Sequence, residues 1–274
     1  MSLSATEFNY VRRLVLDQAA IVLEEDKGYL VESRLSPLAR REGLGSLSVL
    51  VEKLQREPFN GLHRKAVEAM TTNETSFFRD FHPYEALKKS VLPDLIAKRA
   101  KERELSIWCA ASSSGQEPYS LSILWREHFP LQASWNFRIL ATDLSTEILS
   151  RAREGRYSQL EVNRGLPASL LVKYFQKQGC DWLLRDEIRG MVEYQILNLA
   201  GPWPPLFSAD IVMIRNVLIY FGKDTKKEIL GKIRRVLKPD GYLFLGGAET
   251  TFNLDESYER LQFERATCYR VRKT

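Results

Sequence analysis

From about residue 105 onward, short apolar runs suited to strands alternate with stretches of helical pattern, which leaves few architectures open. The runs lie at 105–111, 137–142, 192–197, 209–214 and 242–245, and helical stretches at 119–128, 147–153 and Lys223–Val236 follow several of them. Such alternation predicts an open, mostly parallel sheet with helices on both faces, an α/β fold. The last segments, Tyr258–Phe263 and 268–272, alternate over a short connection and predict an antiparallel pair at one sheet edge. Between residues 155 and 191 the alternation breaks for longer than a plain connection needs, yet Leu, Tyr, Phe and Trp are plentiful there. An inserted subdomain on the sheet edge is expected, at about 156–191.

The chain ahead of this region has no strand signal. Ser4 with Glu7 forms a capping-box pattern, and Phe8, Val11, Val15 and Val22 recur at helical spacing. A second amphipathic segment carries Leu30, Leu35 and Leu38 and stops at Gly43. Ser46 caps a third, with Leu47, Leu50, Val51 and Leu54 on one face, and a fourth runs from about Leu62 to Met70. Pro83 and Pro93 suit the first turns of two later helices. The chain thus reads as a small all-α domain over 1–75 followed by an α/β domain over 76–274, within what 274 residues can bury.

No apolar stretch reaches the length of a membrane span, so a protein not inserted in a membrane is expected. Cys109, Cys180 and Cys268 lack metal-ligand spacing and suit a reduced, cytoplasmic setting. His63, His82 and His128 form no pair at helical spacing, so no zinc site is expected; they read as exposed or hydrogen-bonded surface side chains. The net charge of +5 is unevenly spread. Residues 1–32 carry three basic and six acidic side chains, whereas 33–65 carry seven basic and three acidic. That local excess suggests an acidic partner surface, although a solvated helical face is the commoner explanation for such a cluster.

An open α/β sheet binds its ligand where the strands end and the chain order switches. After the first run comes Ser112-Ser113-Ser114-Gly115-Gln116-Glu117-Pro118-Tyr119-Ser120, small residues and a glycine that let backbone approach a ligand. A single glycine does not make the dinucleotide fingerprint, which argues against a nicotinamide-dependent dehydrogenase. Glu117 near a helix start serves the helix dipole if it acts alone. The second run ends in Ala141-Thr142-Asp143-Leu144-Ser145, where an acid accepts from both hydroxyls of a ribose, although Asp143 or Ser145 as a helix cap fits the same residues. The third ends in Leu197-Asn198-Leu199 and the fourth in Arg215-Asn216-Val217-Leu218-Ile219-Tyr220-Phe221. Polar groups at four strand ends together indicate a nucleoside cofactor.

The stretch Met70-Thr71-Thr72-Asn73-Glu74-Thr75-Ser76-Phe77-Phe78-Arg79 resembles the signature of the chemotaxis receptor protein-glutamate O-methyltransferases, the CheR family. Segments 108–120, 141–145, 215–221 and 237–246 resemble it too, in order and spacing, so the resemblance covers essentially the whole chain. It implies a class I methyltransferase fold with a seven-stranded sheet and a small inserted antiparallel β-subdomain. It also implies S-adenosylmethionine as methyl donor, with S-adenosylhomocysteine as product. Carried over by motif, Asn73, Thr75, Arg79, Glu117, Asp143, Asn198, Leu199, Arg215 and Asn216 line the cofactor site, and Arg79 and Tyr220 take part in catalysis or substrate positioning. Ser112 stands where many relatives have cysteine, a small-for-small exchange. The insert is short between residues 175 and 192, and because some members use it to hold a receptor's carboxy-terminal pentapeptide, recognition independent of that peptide is expected.

The implied chemistry needs no general base, since a glutamate carboxylate with a reference pKa near 4.3 is already the nucleophile at neutral pH. The enzyme must instead desolvate and align it. Arg79 suits pairing with a carboxylate of cofactor or substrate, and the Tyr220 hydroxyl suits fixing the acceptor oxygen, although a core aromatic explains Tyr220 as well. Arg34, Arg40, Arg41, Lys53 and Arg56 become candidates for binding the glutamate-rich cytoplasmic methylation helices of chemoreceptors, with the enzyme a monomer. Two rivals stand beside this reading. A nucleic-acid methyltransferase shares the fold and suits the positive charge, but no basic and aromatic run forms a strand-binding platform. A non-catalytic adaptor that senses the cofactor is the other.

Overall fold

The computed structural model describes residues 3–272; the outer two residues at each end, and with them the expected domain limits at 1 and 274, lie outside the described residues. Two compact units result, one of residues up to Thr72 together with Tyr220–Thr225, the other of Asn73–Ile219 and the chain from Lys226 onward.

The first unit is helical, with α1 (Ala5–Ala19), α2 (Gly28–Arg41), α3 (Leu47–Arg56) and α4 (Gly61–Ala69). Ser4 and Glu7 form the capping box foreseen, and the Ser46 hydroxyl accepts from Val49 N. Phe8, Val11, Val15, Val31, Leu35, Leu38, Leu50, Val51 and Leu54 share one core. Three readings need correction. Val22 is no helix-face residue: α1 stops at Ala19 because Ala20 turns left-handed (φ 54°), and Val22 is exposed, its N–H donating to the Tyr220 carbonyl at 2.9 Å. Leu30 is only half-buried, and Val31 takes the core position. His63 is not at the surface but 3% exposed: Nδ1 meets Asn60 and Nε2 lies 2.8 Å from the Leu54 carbonyl oxygen. Asn60, whose Oδ1 accepts from Leu62 N and His63 N, is the N-cap of α4.

The second unit opens with α5 (His82–Ala86), which continues through one π-helical turn (Leu87–Val91) into α6 (Leu92–Lys98). Then follow β1 (Glu104–Ala110), α7 (Gln116–His128), β2 (Asn136–Asp143), α8 (Thr146–Glu154), the insert, β6 (Val192–Ile196), β7 (Ala209–Ile214), α12 (Lys223–Val236, begun in the first unit), β8 (Leu237–Leu245), β9 (Tyr258–Phe263) and β10 (Ala266–Val271). The sheet has seven strands in the order β6-β2-β1-β7-β8-β10-β9. β6, β2, β1, β7 and β8 pair in parallel, and β10 pairs antiparallel with both β8 and β9. In β1 all but the first residue are buried, and β7 is buried throughout, as strands covered on both faces must be. This is the α/β class that the alternation predicts. No described helix is long and apolar enough to cross a membrane.

The insert holds β3 (Arg156–Ser158), α9 (Gln159–Asn163), α10 (Ala168–Tyr174), β4 (Phe175–Gln178), β5 (Asp181–Leu184) and α11 (Asp186–Arg189). Its strands form a small antiparallel sheet, β3-β5-β4. Tyr157 and Phe175 pack edge-on against Phe77. Gly165 (φ 84°) is required where the chain crosses Phe77, because a Cβ there would lie 2.0 Å from the Phe77 carbonyl oxygen.

Candidate active site

The parallel strands end on one side of the sheet, and the loop after β1 is held there in an unusual conformation. Ala111 and Ser113 are left-handed (φ 55° and 51°), as is Gly115 (φ 92°). Three bonds hold the loop: Ser112 N donates to the Thr142 carbonyl (2.9 Å), Ser113 N to Asp143 Oδ2 (2.8 Å) and Ser113 Oγ to the Asn73 carbonyl (2.8 Å). Asp143 Oδ1 accepts from Ser145 N at 3.1 Å, and Ser145 Oγ caps α8 by accepting from Ile148 N. The cap is therefore Ser145, while Asp143 ties the ends of β1 and β2 together. Gly115 serves a different purpose from the one its sequence context suggests. A Cβ there would meet the Tyr194 hydroxyl at 2.6 Å and the Tyr119 ring at 3.1 Å, so the glycine makes room for the protein's own tyrosines. From the insert, the Tyr157 hydroxyl donates to the Ser114 carbonyl at 2.7 Å.

Arg215, at the end of β7, is the centre of charge. Its side chain is 2% exposed and bridges two carboxylates: Nη1 donates to Glu117 (2.8 Å), and Nη2 to Asp80 (2.7 Å) and to the Arg79 carbonyl (2.9 Å). Burial opposes this charge, but Glu117 and, to a lesser extent, Asp80 outweigh it, and the guanidinium pKa is held above its ordinary value. The turn so clasped is strained: Phe78, Asp80 and Phe81 all take left-handed conformations (φ 48°, 67° and 48°). Arg79 sits in this turn, with Nη1 on the Glu74 carbonyl at 2.9 Å, and Glu74 is also paired with Arg164 at 2.8 Å. Thr75 is half-buried in the same segment.

Asn216, the next residue, is left-handed (φ 58°), and its N–H donates to Glu249 at 2.8 Å. Glu249 also accepts from Gly246 N (2.7 Å) and Ile219 N (3.3 Å), closing the end of β8 onto that of β7. Beyond β6, Asn198 Oδ1 accepts from Ala200 N, and the Leu199 carbonyl accepts from the Trp203 indole at 3.1 Å. Trp203 packs edge-on against Trp108, whose indole donates to Thr142 Oγ1.

The second unit thus brings Asn73, Thr75, Arg79, Glu117, Asp143, Asn198, Leu199, Arg215 and Asn216 to the ends and end-loops of its strands or to the segment clasped by Arg215. Tyr220 closes a 3₁₀ turn (Leu218–Tyr220) and belongs to the segment that groups with the helical unit. Of the basic candidates in that unit, Arg34 donates to the Met70 carbonyl (2.6 Å) and to Thr72 Oγ1 (2.9 Å), and burial lowers its pKa. Lys53 lies 3.9 Å from Glu57 and Arg56 pairs with Glu52 at 2.5 Å, each about one turn away, and Arg40 and Arg41 are exposed in the last turn of α2. Asp80, Glu249 and Tyr157 were missed from sequence. A carboxylate just past Gly246-Gly247 was a usable sign for Glu249; Asp80 and Tyr157 lie far along the chain from their partners.

Three buried polar groups at these strand ends, the Ser112 hydroxyl, Asn216 Oδ1 and Arg215 Nε, have no hydrogen-bond partner among the described residues. Buried polar atoms are seldom left unpaired, and a bound ligand is one group that can complete them. With the Asp143 carboxylate at the end of β2, they fit a nucleoside that carries hydroxyl and amino groups, and the architecture is that of a nucleoside-binding open α/β sheet.

Comparison with known proteins specifies the class. The CheR methyltransferase all-alpha domain matches residues 6–71, and the CheR methyltransferase SAM binding domain matches 73–267. Chemotaxis protein methyltransferase 1 of Pseudomonas aeruginosa is 42% identical over 276 aligned positions, covering 99% of this chain and all of the relative. Chemotaxis protein methyltransferase Cher2 of Pseudomonas putida is 41% identical, covering 99% and 100%. Chemotaxis protein methyltransferase 1 of Vibrio cholerae is 36% identical, covering 99% of each chain. The chain belongs to the CheR methyltransferase family, and its cofactor is S-adenosylmethionine.

Proposed function

We propose that this protein esterifies glutamate side chains on the cytoplasmic methylation helices of chemoreceptors, acting as a monomer and without a receptor pentapeptide tether. One observation carries the reading. Ser113, at the end of β1, joins Asp143 from the next strand to Asn73 from the segment before the sheet, so three separated motifs converge at one point. S-adenosylmethionine, when bound, supplies an electrophilic methyl group. In this reading Asp143 accepts ribose hydroxyls, Asn216 Oδ1 and the Ser112 hydroxyl meet further polar groups, and Glu117 faces a positive one. Asn73, Thr75, Asn198 and Leu199 complete the wall. Arg79 pairs with a carboxylate and Tyr220 fixes the acceptor oxygen; no residue need remove a proton, because the acceptor is ionised at neutral pH. What remains is alignment and exclusion of water.

Recognition falls to the basic face of the helical unit, with Arg34, Arg40, Arg41, Lys53 and Arg56 as its contacts. Support for the tether's absence comes from β4, an edge strand of only four residues, Phe175–Gln178. Alternate residues face outward, so such an edge offers a five-residue peptide only about two residues' worth of backbone pairing.

The test is transfer of radiolabelled methyl to membranes containing chemoreceptors. Alkali-labile label on the receptor, lost in Arg79→Ala, is expected. Label on RNA, or none on receptor despite tight cofactor binding, would sink the proposal in favour of a nucleic-acid enzyme or an adaptor.

A further inference from the structure

We infer that the cavity between the turn after β8 and the β9–β10 hairpin receives acidic side chains of the polypeptide substrate that flank the methyl-accepting glutamate. The inference rests on the functional reading just given. The cavity measures 470 Å³, and its floor is the network of the active site: Asp80, Arg215, Gly246 and Glu249. Its far wall is the hairpin, where Arg260 and Arg265 stand.

The charges in this cavity are not balanced. Both acids of the floor are taken: Asp80 by Arg215 at 2.7 Å, and Glu249 by the backbone N–H groups of Asn216, Gly246 and Ile219. Glu264, in the hairpin turn, is drawn to Lys89 at 3.7 Å. Arg260 is steadied by the hydroxyl of Thr267 at 3.1 Å and by Gln262 at 3.4 Å, and Arg265 is exposed at the turn. Neither arginine has a carboxylate within ion-pair distance among the described residues. Two planar, always-charged guanidinium groups therefore face a pocket whose acids are already engaged. Two like charges at one open pocket draw acidic groups, and the guanidinium fork matches carboxylates.

Position selects the occupant. The pocket opens from the strand ends that hold the cofactor site, so a segment presenting one glutamate there has its neighbours within reach of the hairpin. Carboxylates one helical turn from the acceptor, about 5.4 Å along the axis, suit that distance scale. The site thus favours acceptors in acidic surroundings, adding local selectivity to any long-range attraction.

The test is steady-state methylation by the full chain of a receptor fragment, and of the same fragment with the acidic residues around the acceptor changed to glutamine. Arg260→Gln/Arg265→Gln should raise KM for the native fragment about tenfold, with S-adenosylhomocysteine affinity within about twofold of wild type. The neutralised fragment should raise KM for wild type yet add little in the variant, because both changes remove one interaction. Arg265→Gln alone, at an exposed turn, should show the same pattern at smaller size. An unchanged KM, strictly additive effects, or a loss confined to cofactor affinity would each overturn the inference. If wild type itself left no alkali-labile label on the native fragment, the functional reading would fail, an outcome separate from the others.

Discussion

The two ends of the parallel sheet each hold an arginine between two carboxylates, and they differ in what surrounds it. At the amino end, Arg99 donates to Asp210 (2.9 Å) and makes a two-pronged contact with Asp240 (2.6 and 3.1 Å). Asp210, wholly buried, also accepts from Lys238, Ser106 N and Ser106 Oγ, each at 2.9 Å. Those partners lie on β1, β7 and β8, so the cluster is a seam that sews three strands together. At the carboxyl end, Arg215 uses the same chemistry to clasp a strained turn, and buried acceptors beside it go unpaired. One cluster satisfies itself, whereas the other leaves buried polar atoms open, as the proposed cofactor site requires. A buried ion pair is thus by itself no sign of function; the unsatisfied atoms and left-handed backbone near it are.

If this contrast is right, Asp210→Ala should give the largest loss of stability, about 3–5 kcal/mol in urea unfolding, because Arg99 and Lys238 lose their buried partner. Cofactor affinity of the folded fraction should persist. Arg215→Met should cost somewhat less, about 3 kcal/mol, since Asp80 is half exposed and regains water although Glu117 stays buried without its partner. It should, however, abolish most methyl transfer, and a variant that kept near-normal turnover would break the comparison. Asp143→Ala should weaken S-adenosylhomocysteine binding by about 2 kcal/mol in calorimetry, the cost of a lost charged hydrogen-bond acceptor. Arg40→Glu/Arg41→Glu should raise receptor KM about tenfold in low salt and leave cofactor affinity alone.

The smallest effect concerns pH. The hydrogen bond from Arg99 holds the Asp240 carboxyl below its ordinary pKa. A depressed carboxyl stabilises the fold above its unfolded value, near 3.9, and that contribution is lost as pH falls through the folded value. The urea midpoints of wild type and Asp240→Asn should therefore differ at pH 6 and converge as the pH falls below about 4.

Much of the fold was legible because it depends on local pattern. The five apolar runs became strands within a few residues of their expected limits, and Ser4, Ser46 and Gly43 marked helix ends as their chemistry requires. Val22 misled because periodicity continued past the point where Ala20 reverses the backbone, and His63 because a buried imidazole needs partners that only the folded chain supplies. The candidate site was legible where strand ends announce it, at Asp143 and Arg215. It was hidden where distance along the chain is bridged by folding. Asp80 meets Arg215 across 135 residues, and Tyr157 reaches Ser114 across 43. Gly115 shows the same limit, since a glycine before a helix does not reveal which group needs its space.

The most direct test of the contrast between the two ends is titration of S-adenosylhomocysteine into Asp143→Ala and Asp240→Asn, both shown to be folded under the conditions used. The account predicts near-wild-type affinity for Asp240→Asn and a loss of roughly 10- to 100-fold for Asp143→Ala. Equal weakening in both, or undiminished binding in Asp143→Ala, would contradict it.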